Sequence, residues 1–295
     1  DSVLLLPVDD VRPSELFGAR VLYEQFCSPA DPNIHSGFAV VSCCKNLIEE
    51  NGPSAADKRT LEIFVDLYKR SILIESLAQE LTEIDWRKRF DKIILTFNRV
   101  DDPGNVKLPS YIEARYVKKG KIEVQNSVLA SWLTDSRSEY LITISGDGEY
   151  RLRETLALID TSNYLNVGAV LGSRAQSRKQ LQTSLRYAYG DGFLIRIISL
   201  LGSLLVTSLF MARFGMVFSD PLTGMRLIRR SYLNEEFRKD FLATRSKSSG
   251  AVIKLLIKHG IEICELPVTY RTFPGFTDTA WRLRRGIRNL WGLVG

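Results

Sequence analysis

The chain has 295 residues, of which 45% are hydrophobic and 25% are charged, a balance typical of a folded globular protein. This composition excludes a disordered or fibrous chain, and the length suits one large α/β domain or two small ones. The four cysteines have neither zinc-site spacing nor the density of a disulfide framework. We therefore expect a reducing, cytoplasmic setting.

The chain alternates predicted strands and helices. Residues 1–36 contain four prolines and are interpreted as an irregular lead-in or the remnant of a preceding domain, so the main domain is predicted at 37–280. Residues 57–81 have apolar side chains at helical spacing. Strands are predicted at 38–41, 92–97, 112–117, 140–144 and 167–171, and further helices at 122–134 and 153–160. This alternation indicates an α/β fold with a mostly parallel sheet and helices on both faces.

A carboxylate follows the strand predicted at 140–144, inside the sequence Ser-Gly-Asp-Gly-Glu at 145–149. Ligands of a parallel sheet bind beyond the carboxyl ends of its strands, so Asp147 is expected at the ligand-binding edge. Mg²⁺ or Mn²⁺ held by one or two carboxylates and diphosphate oxygens is the usual arrangement for nucleotide substrates. An ordinary turn, in which Asp147 caps the following helix, is the alternative interpretation.

Arginines occur at two further places on the same predicted edge. Arg174 comes just after the strand predicted at 167–171, and the segment 219–230 combines Asp220, a glycine turn and three arginines. The planar guanidinium group makes bidentate contacts with phosphate, so these arginines suit a diphosphate. For each basic cluster, a solvated helix face is the alternative.

Four motifs follow one another along the chain: Ser-Gly-Asp-Gly-Glu at 145–149, Leu-Gly-Ser-Arg at 171–174, Asp-Pro-Leu-Thr-Gly-Met-Arg at 220–226, and Gly-Ile-Glu-Ile-Cys-Glu-Leu-Pro-Val-Thr-Tyr-Arg at 260–271. This series resembles the family 2 glycosyltransferases and is most similar to the dolichyl- and undecaprenyl-phosphate sugar synthases. The resemblance covers residue 37 to the C-terminus. It implies a GT-A fold, which is a Rossmann-like sheet, and inverting transfer from a nucleoside-diphosphate sugar.

The resemblance also implies a donor site and an acceptor site. The donor-binding positions are Ser42, Asn98, Ser145, Gly146, Asp147 and Arg174. The acceptor- or phosphate-binding positions are Asp220, Arg226, Tyr270 and Arg271. The cation, Mg²⁺ or Mn²⁺, is placed on Asp147 with help from Glu149, where it would neutralise charge on the leaving diphosphate. The catalytic candidates are Asp220, Arg174 and Arg226, with Asp220 as the general base if the acceptor is a sugar hydroxyl.

The chain departs from the family pattern at several positions. Ser145 replaces the first carboxylate of the family's Asp-x-Asp pair, so Asp147 is the principal predicted metal ligand. Asn98 stands where the family has an Asp-Asp pair, and Ser-Cys-Cys-Lys-Asn at 42–46 replaces the family's opening motif. Residues 272–278 lack a phosphate-binding lysine that the family often has. These departures affect the precise substrate more than the class of enzyme.

Two further segments bear on the acceptor. Residues 197–212 are nearly continuously apolar but shorter than the roughly twenty residues that span a bilayer. They predict a buried core helix or, alternatively, a helix at a membrane interface or along a lipid-acceptor groove. Residues 281–295 predict a basic amphipathic helix, whose arginines and tryptophans suit an anionic bilayer surface.

Three functional hypotheses follow. The leading one is a glycosyltransferase that moves a sugar from a nucleoside-diphosphate sugar to a polyprenyl-phosphate or other membrane-associated acceptor. The alternatives are a glycosyltransferase that extends a soluble or surface glycan and a catalytically degenerate sugar-nucleotide-binding module. We predict no nucleic-acid partner. The expected location is the cytoplasm, with peripheral contact to the cytoplasmic membrane face as an option.

Overall fold

A computed structural model describes residues 3–7, 38–42, 57–66, 73–84, 86–98, 108–117, 123–145, 150–175, 181–183, 185–186, 193–216, 218–221, 223–244 and 249–270. The strands are β1 (Val3–Pro7), β2 (Phe38–Ser42), β3 (Asp57–Asp66), β4 (Lys92–Asn98), β5 (Ile112–Val117), β6 (Ser138–Ser145), β7 (Ala169–Ser173), β8 (Met225–Arg229) and β9 (Ile263–Pro267). The helices are α1 (Leu73–Glu83), α2 (Glu123–Thr134), α3 (Glu154–Leu165), α4 (Phe193–Phe214), α5 (Glu235–Ala243) and α6 (Ser249–Lys258). Among these helices, none combines the length and apolar character that a bilayer crossing requires.

One seven-stranded sheet forms the centre of the fold, with the strand order β5-β4-β3-β6-β8-β7-β9. Neighbouring strands run parallel except at β8, which is antiparallel to both β6 and β7. Side chains of α1 and α3 belong to one apolar core cluster, and those of α2, α4, α5 and α6 belong to a second. The sheet is therefore mostly parallel and covered by helices on both faces, which confirms the predicted α/β class.

The helix predicted over 57–81 is wrong in its first part, because Asp57–Asp66 is the strand β3. Residues 61–65 are all buried, as expected for a strand that is covered on both faces. Such a strand is a continuous run of apolar residues, and any continuous run also contains apolar residues three and four positions apart, as a helix does. The β-branched side chains of Ile63 and Val65 favour the extended conformation. The helix α1 begins only at Leu73.

A separate two-stranded antiparallel sheet is formed by β1 and β2, in which Leu5 pairs with Val40. The irregular structure predicted for 1–36 is therefore wrong at Val3–Pro7. The strand predicted at 38–41 exists, but the first strand of the seven-stranded sheet in chain order is β3. The other predicted strands correspond to β4, β5, β6 and β7, and the two further predicted helices correspond to α2 and α3. No sequence pattern predicts β8 or β9.

Two arginines near the end of β8 have structural roles. Arg229 Nε lies 2.7 Å from Oε1 of Glu139, whose side chain is fully buried. The Arg230 guanidinium stacks over the Trp132 ring, with Cζ 4.4 Å from the ring centroid. It also donates to three backbone carbonyls, those of Trp132, Leu133 and Ser138. Because the last carbonyls of a helix have no intrahelical donors, Arg230 caps the C-terminal end of α2.

We expect Arg230→Met to lower the free energy of unfolding by about 2–4 kcal/mol. Methionine keeps apolar contact with the Trp132 ring but leaves the buried carbonyls without a donor. Urea unfolding followed by tryptophan fluorescence measures the change. Arg137→Met, at an exposed position in the turn after α2, is the matched control and should change the stability by less than about 0.5 kcal/mol. Equal losses in both variants would contradict the capping role.

Candidate functional site

The carboxyl ends of β3, β4 and β6 bring three polar residues into one row. The Cα of Asp66 pairs with that of Asn98 on one side and with that of Ser145 on the other. Asn98 and Ser145 are predicted donor-binding positions, and both lie at the edge of the sheet where ligands bind in such folds. Asp66 was missed because 57–81 was assigned to a helix. An apolar run that ends in an acidic residue is the signal that identifies it.

The predicted cation ligands belong to the segment between Ser145 and Tyr150, for which the sequence predicts a turn. Gly146, Asp147 and Glu149 lie outside the described residues, so their roles stay predictions. Both ends of the turn are anchored, since Ser145 ends β6 and the Tyr150 hydroxyl accepts a backbone N–H from the loop before β8 at 2.9 Å. Within the described ranges, no three His, Cys, Asp or Glu residues are grouped so that they could hold a metal ion. Carboxylates of this turn, completed by diphosphate oxygens, match the ligands that Mg²⁺ prefers.

An ion pair between Arg174 and Asp220 forms the centre of the described site. Arg174 follows β7 directly, and Asp220 lies between α4 and β8. Arg174 Nε donates to Asp220 Oδ2 at 2.6 Å and Nη2 donates to Oδ1 at 2.9 Å, so the contact is bidentate. The Asp220 side chain is 7% exposed, whereas that of Arg174 is 28% exposed. Burial lowers the pKa of Arg174, but the charge and hydrogen bonds of Asp220, together with Tyr150 and Tyr270, outweigh burial and keep this pKa above its ordinary value, so the guanidinium stays protonated.

Glu265 on β9 holds the backbone that carries Asp220. Its Oε1 accepts the Asp220 N–H at 2.9 Å, and its Oε2 accepts the N–H and the hydroxyl of Ser219 at 2.7 and 2.9 Å. Burial raises the pKa of Glu265 to about 7, and the hydrogen bonds from Ser219 and Asp220 oppose this rise. The glutamate therefore orients the partner of Arg174. The fourth sequence motif contains Glu265, but sequence alone does not indicate which backbone it contacts.

The loop before β8 is hydrogen-bonded to β7 and to Tyr150. The Thr223 hydroxyl donates to the Gly172 carbonyl of β7, and the Gly224 N–H donates to the hydroxyl of Tyr150. Gly172 is required at its position because an added Cβ would lie 2.9 Å from Cγ1 of Val268. The glycine of the Leu-Gly-Ser-Arg motif thus allows β7 and the chain after β9 to approach closely.

Tyr270, a predicted acceptor-binding residue, contacts the Arg174–Asp220 ion pair. Arg174 Cζ lies 5.0 Å from the Tyr270 ring centroid, a cation–π distance. Tyr270 also makes an edge contact with the Tyr150 ring at 5.4 Å between centroids. Tyr150 follows the predicted metal-binding segment, so the structure brings the residue after this segment together with Tyr270, Arg174 and Asp220.

Two predicted residues lie elsewhere in the described structure, and a third lies outside it. Arg226 is buried within β8, where its Cα pairs with those of Thr143 and Leu171, so it lies inside the sheet. Ser42 ends β2 in the two-stranded sheet. It is therefore not at the end of a strand of the seven-stranded sheet, where the resemblance places it. Arg271 lies outside the described residues.

Glu154 is a second buried carboxylate near this group. It is the first residue of α3, and its Oε1 accepts the N–H of Thr269 at 2.8 Å. Its Oε2 is buried and has no hydrogen-bond partner in the part of the chain that the structure describes. Burial raises the pKa of Glu154 to about 7, against the opposing effect of the bonds from Thr269.

The raised pKa of Glu154 predicts a pH-dependent stability. Between the ordinary value of 4.5 and about 7, the folded state binds the proton more strongly than the unfolded chain does. Stability therefore falls as the pH rises through this range. We expect Glu154→Gln to reduce the loss between pH 5 and pH 8 by about 2–3 kcal/mol relative to wild type.

Urea unfolding at a series of pH values measures this difference. Glu83→Gln, which changes an exposed carboxylate at the end of α1, is the control and should retain the wild-type pH dependence. Identical pH profiles for Glu154→Gln and wild type would contradict the prediction.

Comparison with known proteins shows a shared fold. No family model matches the chain, and no curated protein sequence matches it. Glucosyl-3-phosphoglycerate synthase from Mycobacterium tuberculosis is similar in structure, with a TM-score of 0.50, 14% identity, and coverage of 80% of this chain and 81% of that chain. The same enzyme with Mn²⁺, UDP-glucose and phosphoglyceric acid has a TM-score of 0.48, 13% identity, and coverage of 80% and 79%. Mannosyl-3-phosphoglycerate synthase from Rubrobacter xylanophilus has a TM-score of 0.49, 11% identity, and coverage of 79% and 72%.

The predicted GT-A fold is confirmed by the strand order, the helices on both faces and the similarity to the Mycobacterium tuberculosis structure. That structure is of a phosphoglycerate-glycosylating enzyme, not of a polyprenyl-phosphate sugar synthase. The narrower resemblance to the polyprenyl-phosphate branch therefore stays a prediction. The fold is shared by enzymes of different substrates, so the function must be argued from the site.

Proposed function

We propose that this protein is a metal-dependent glycosyltransferase that moves a sugar, with inversion, from a nucleoside-diphosphate sugar to an acceptor carrying a phosphate group. Polyprenyl phosphate at a membrane is the preferred acceptor. The observation that carries this proposal is the bidentate Arg174–Asp220 pair beside the anchored end of the 145–150 turn. This pair holds the guanidinium of Arg174 in a fixed orientation at the ligand-binding edge of the sheet.

On the donor side, the edge of the sheet provides the groups that a nucleoside diphosphate requires. Asn98 and Ser145 stand in one row beside Asp66, and the turn with Gly146, Asp147 and Glu149 follows Ser145. Asp147, with help from Glu149, would hold Mg²⁺ or Mn²⁺. The bound cation would supply Lewis-acid stabilisation of the charge on the departing diphosphate.

On the acceptor side, Arg174 is the principal binding group. Asp220 and the Tyr270 ring fix its guanidinium, and its side chain is still partly exposed. A preformed cation of this kind binds a phosphate without a large loss of side-chain entropy. Tyr270 and Arg271 come three and four residues after the end of β9 and would complete the acceptor site.

The hydrogen bonds and burial of Asp220 favour a phosphate over a sugar hydroxyl as the nucleophile. A hydroxyl nucleophile needs a general base, and Asp220 is the sequence candidate for that role. Both of its carboxylate oxygens accept hydrogen bonds from Arg174, and the side chain is 7% exposed. An anionic phosphate needs no base. We therefore propose that Asp220 acts as a positioning residue for Arg174.

A transfer assay with two classes of acceptor tests the proposal. The purified protein is incubated with Mn²⁺ and UDP-, GDP- or CDP-linked sugars, together with either polyprenyl phosphate or a neutral oligosaccharide. We expect product with the phosphate and none with the oligosaccharide. Transfer only to the oligosaccharide would overturn the acceptor assignment, and the absence of transfer from every donor to either acceptor would favour a sugar-nucleotide-binding module.

A further inference from the structure

The long helix α4 (Phe193–Phe214) has an exposed apolar stripe along one side. Four large side chains of this helix are at least half exposed: Ile198 (50%), Leu201 (58%), Leu204 (54%) and Leu205 (52%). Ser208 and Ala212 continue the exposed side at helical spacing, and both are small. Contiguous apolar surface of this kind marks an interaction site more often than isolated exposed leucines do.

The opposite side of α4 belongs to the core of the domain. Val206 and Phe210 are 3% and 0% exposed and pack in the core cluster on this face of the sheet. Because one side of α4 packs in the core, the stripe on its other side faces away from the domain. This geometry suits a helix that lies along a surface with its apolar side in the headgroup region.

The charges of α4 suit an anionic surface. The helix contains no acidic residue, and Arg213 near its C-terminal end is exposed, whereas Nε of its other arginine, Arg196, is buried. The whole chain has a net charge of +6. This net charge includes the four arginines of the basic amphipathic segment predicted at 281–295. Basic residues near an anionic bilayer strengthen the binding of an apolar helix side.

We propose that the α4 stripe, defined by Ile198, Leu201, Leu204 and Leu205, docks on the surface of an anionic lipid bilayer. A second copy of the chain is the less suitable occupant. Half of four aliphatic side chains amounts to a few hundred Å² of apolar surface, well below the roughly 800 Å² per partner that a stable interface buries. Docking itself does not depend on the proposed function. Only the placement of the acceptor in the same bilayer rests on that function.

The helix that carries the stripe contacts the candidate site through its opposite, buried side. The Thr207 hydroxyl donates to the Phe218 carbonyl at 3.1 Å, and the Phe210 and Phe218 rings are in edge contact at 5.6 Å. Phe218 immediately precedes Ser219, which donates to Glu265, and Asp220, which accepts hydrogen bonds from Arg174. Docking of α4 would thus bring the segment that organises Arg174 close to lipid phosphates.

Vesicle flotation tests this docking without any substrate or metal. The full chain is mixed with vesicles of phosphatidylcholine alone or of phosphatidylcholine with phosphatidylglycerol. We expect at least about tenfold more wild-type protein on the anionic vesicles, and a loss of about tenfold when Leu201→Glu and Leu205→Glu are combined. The matched control is Leu242→Glu on α5, which changes a leucine of equal exposure (53%) and should float like wild type.

The paired changes Leu201→Gln and Leu205→Gln provide a milder second variant, and circular dichroism establishes that each variant is folded. Wild-type flotation by the folded double variants would overturn the proposal, as would the absence of wild-type protein from anionic vesicles. A wild-type dimer in sedimentation that the double variants lack would assign the stripe to a second copy instead. Because flotation requires no turnover, its failure is distinguishable from failure of the transfer assay.

Discussion

Arg174→Lys is expected to lower kcat/KM for sugar transfer by about 10²–10³-fold. Lysine keeps the positive charge, but it cannot make the two parallel bonds to Asp220 or stack its planar group on Tyr270. The ammonium group would therefore occupy several positions. The acceptor phosphate would lose the cation that is held in a fixed position to bind it. Initial rates measured over a range of acceptor concentrations give kcat and KM separately.

Arg186→Lys is the matched control, because Arg186 is exposed and lies outside the group around Asp220. Its rate should stay within about twofold of wild type, since exposed substitutions away from such contacts have small effects. A rate for Arg174→Lys within about threefold of wild type would show that charge alone suffices. In that case the bidentate geometry would have no catalytic role.

Asp147→Asn is expected to lower the transfer rate by about 10³-fold and to abolish the dependence of the rate on Mn²⁺. The amide keeps the size of the side chain but removes the negative charge that a hard cation requires. The rate is measured with and without Mn²⁺ in both proteins. Glu149→Gln should have a smaller effect, of about tenfold, if Glu149 only assists.

The same substitution at Asp135, an exposed carboxylate after α2, is the control for a general effect of charge. Retention of metal-dependent transfer in Asp147→Asn would exclude Asp147 as the principal ligand. Asp66, which pairs in register with Ser145, would then be the next carboxylate to replace.

Much of the sheet was predictable because its strands are apolar runs bounded by polar turns. β4, β5, β6 and β7 were identified in this way, and their alternation with helices indicated the parallel arrangement. β3 was not, because a strand buried on both faces shows no alternation, and the positions of Leu61, Phe64 and Val65 also fit a helix. Its misassignment hid Asp66.

The candidate site was predictable at motif residues whose side chains can bind a phosphate or a cation. Arg174, Asp220 and Tyr270 are far apart in sequence, and the structure brings them into contact. The roles of Glu265 and Tyr150 were not predictable, because both act on backbone groups of another segment. No periodicity or spacing shows which N–H a buried side chain will accept, since that depends on the strand order.

The most direct test of the central claim is calorimetric binding of UDP, GDP and CDP to the wild-type chain, each with and without Mn²⁺. A sugar-nucleotide-dependent transferase should bind one of the three tightly and only in the presence of the metal. That result would establish the donor class and the metal dependence together. Absence of binding for all three nucleotides would contradict the proposed transferase activity.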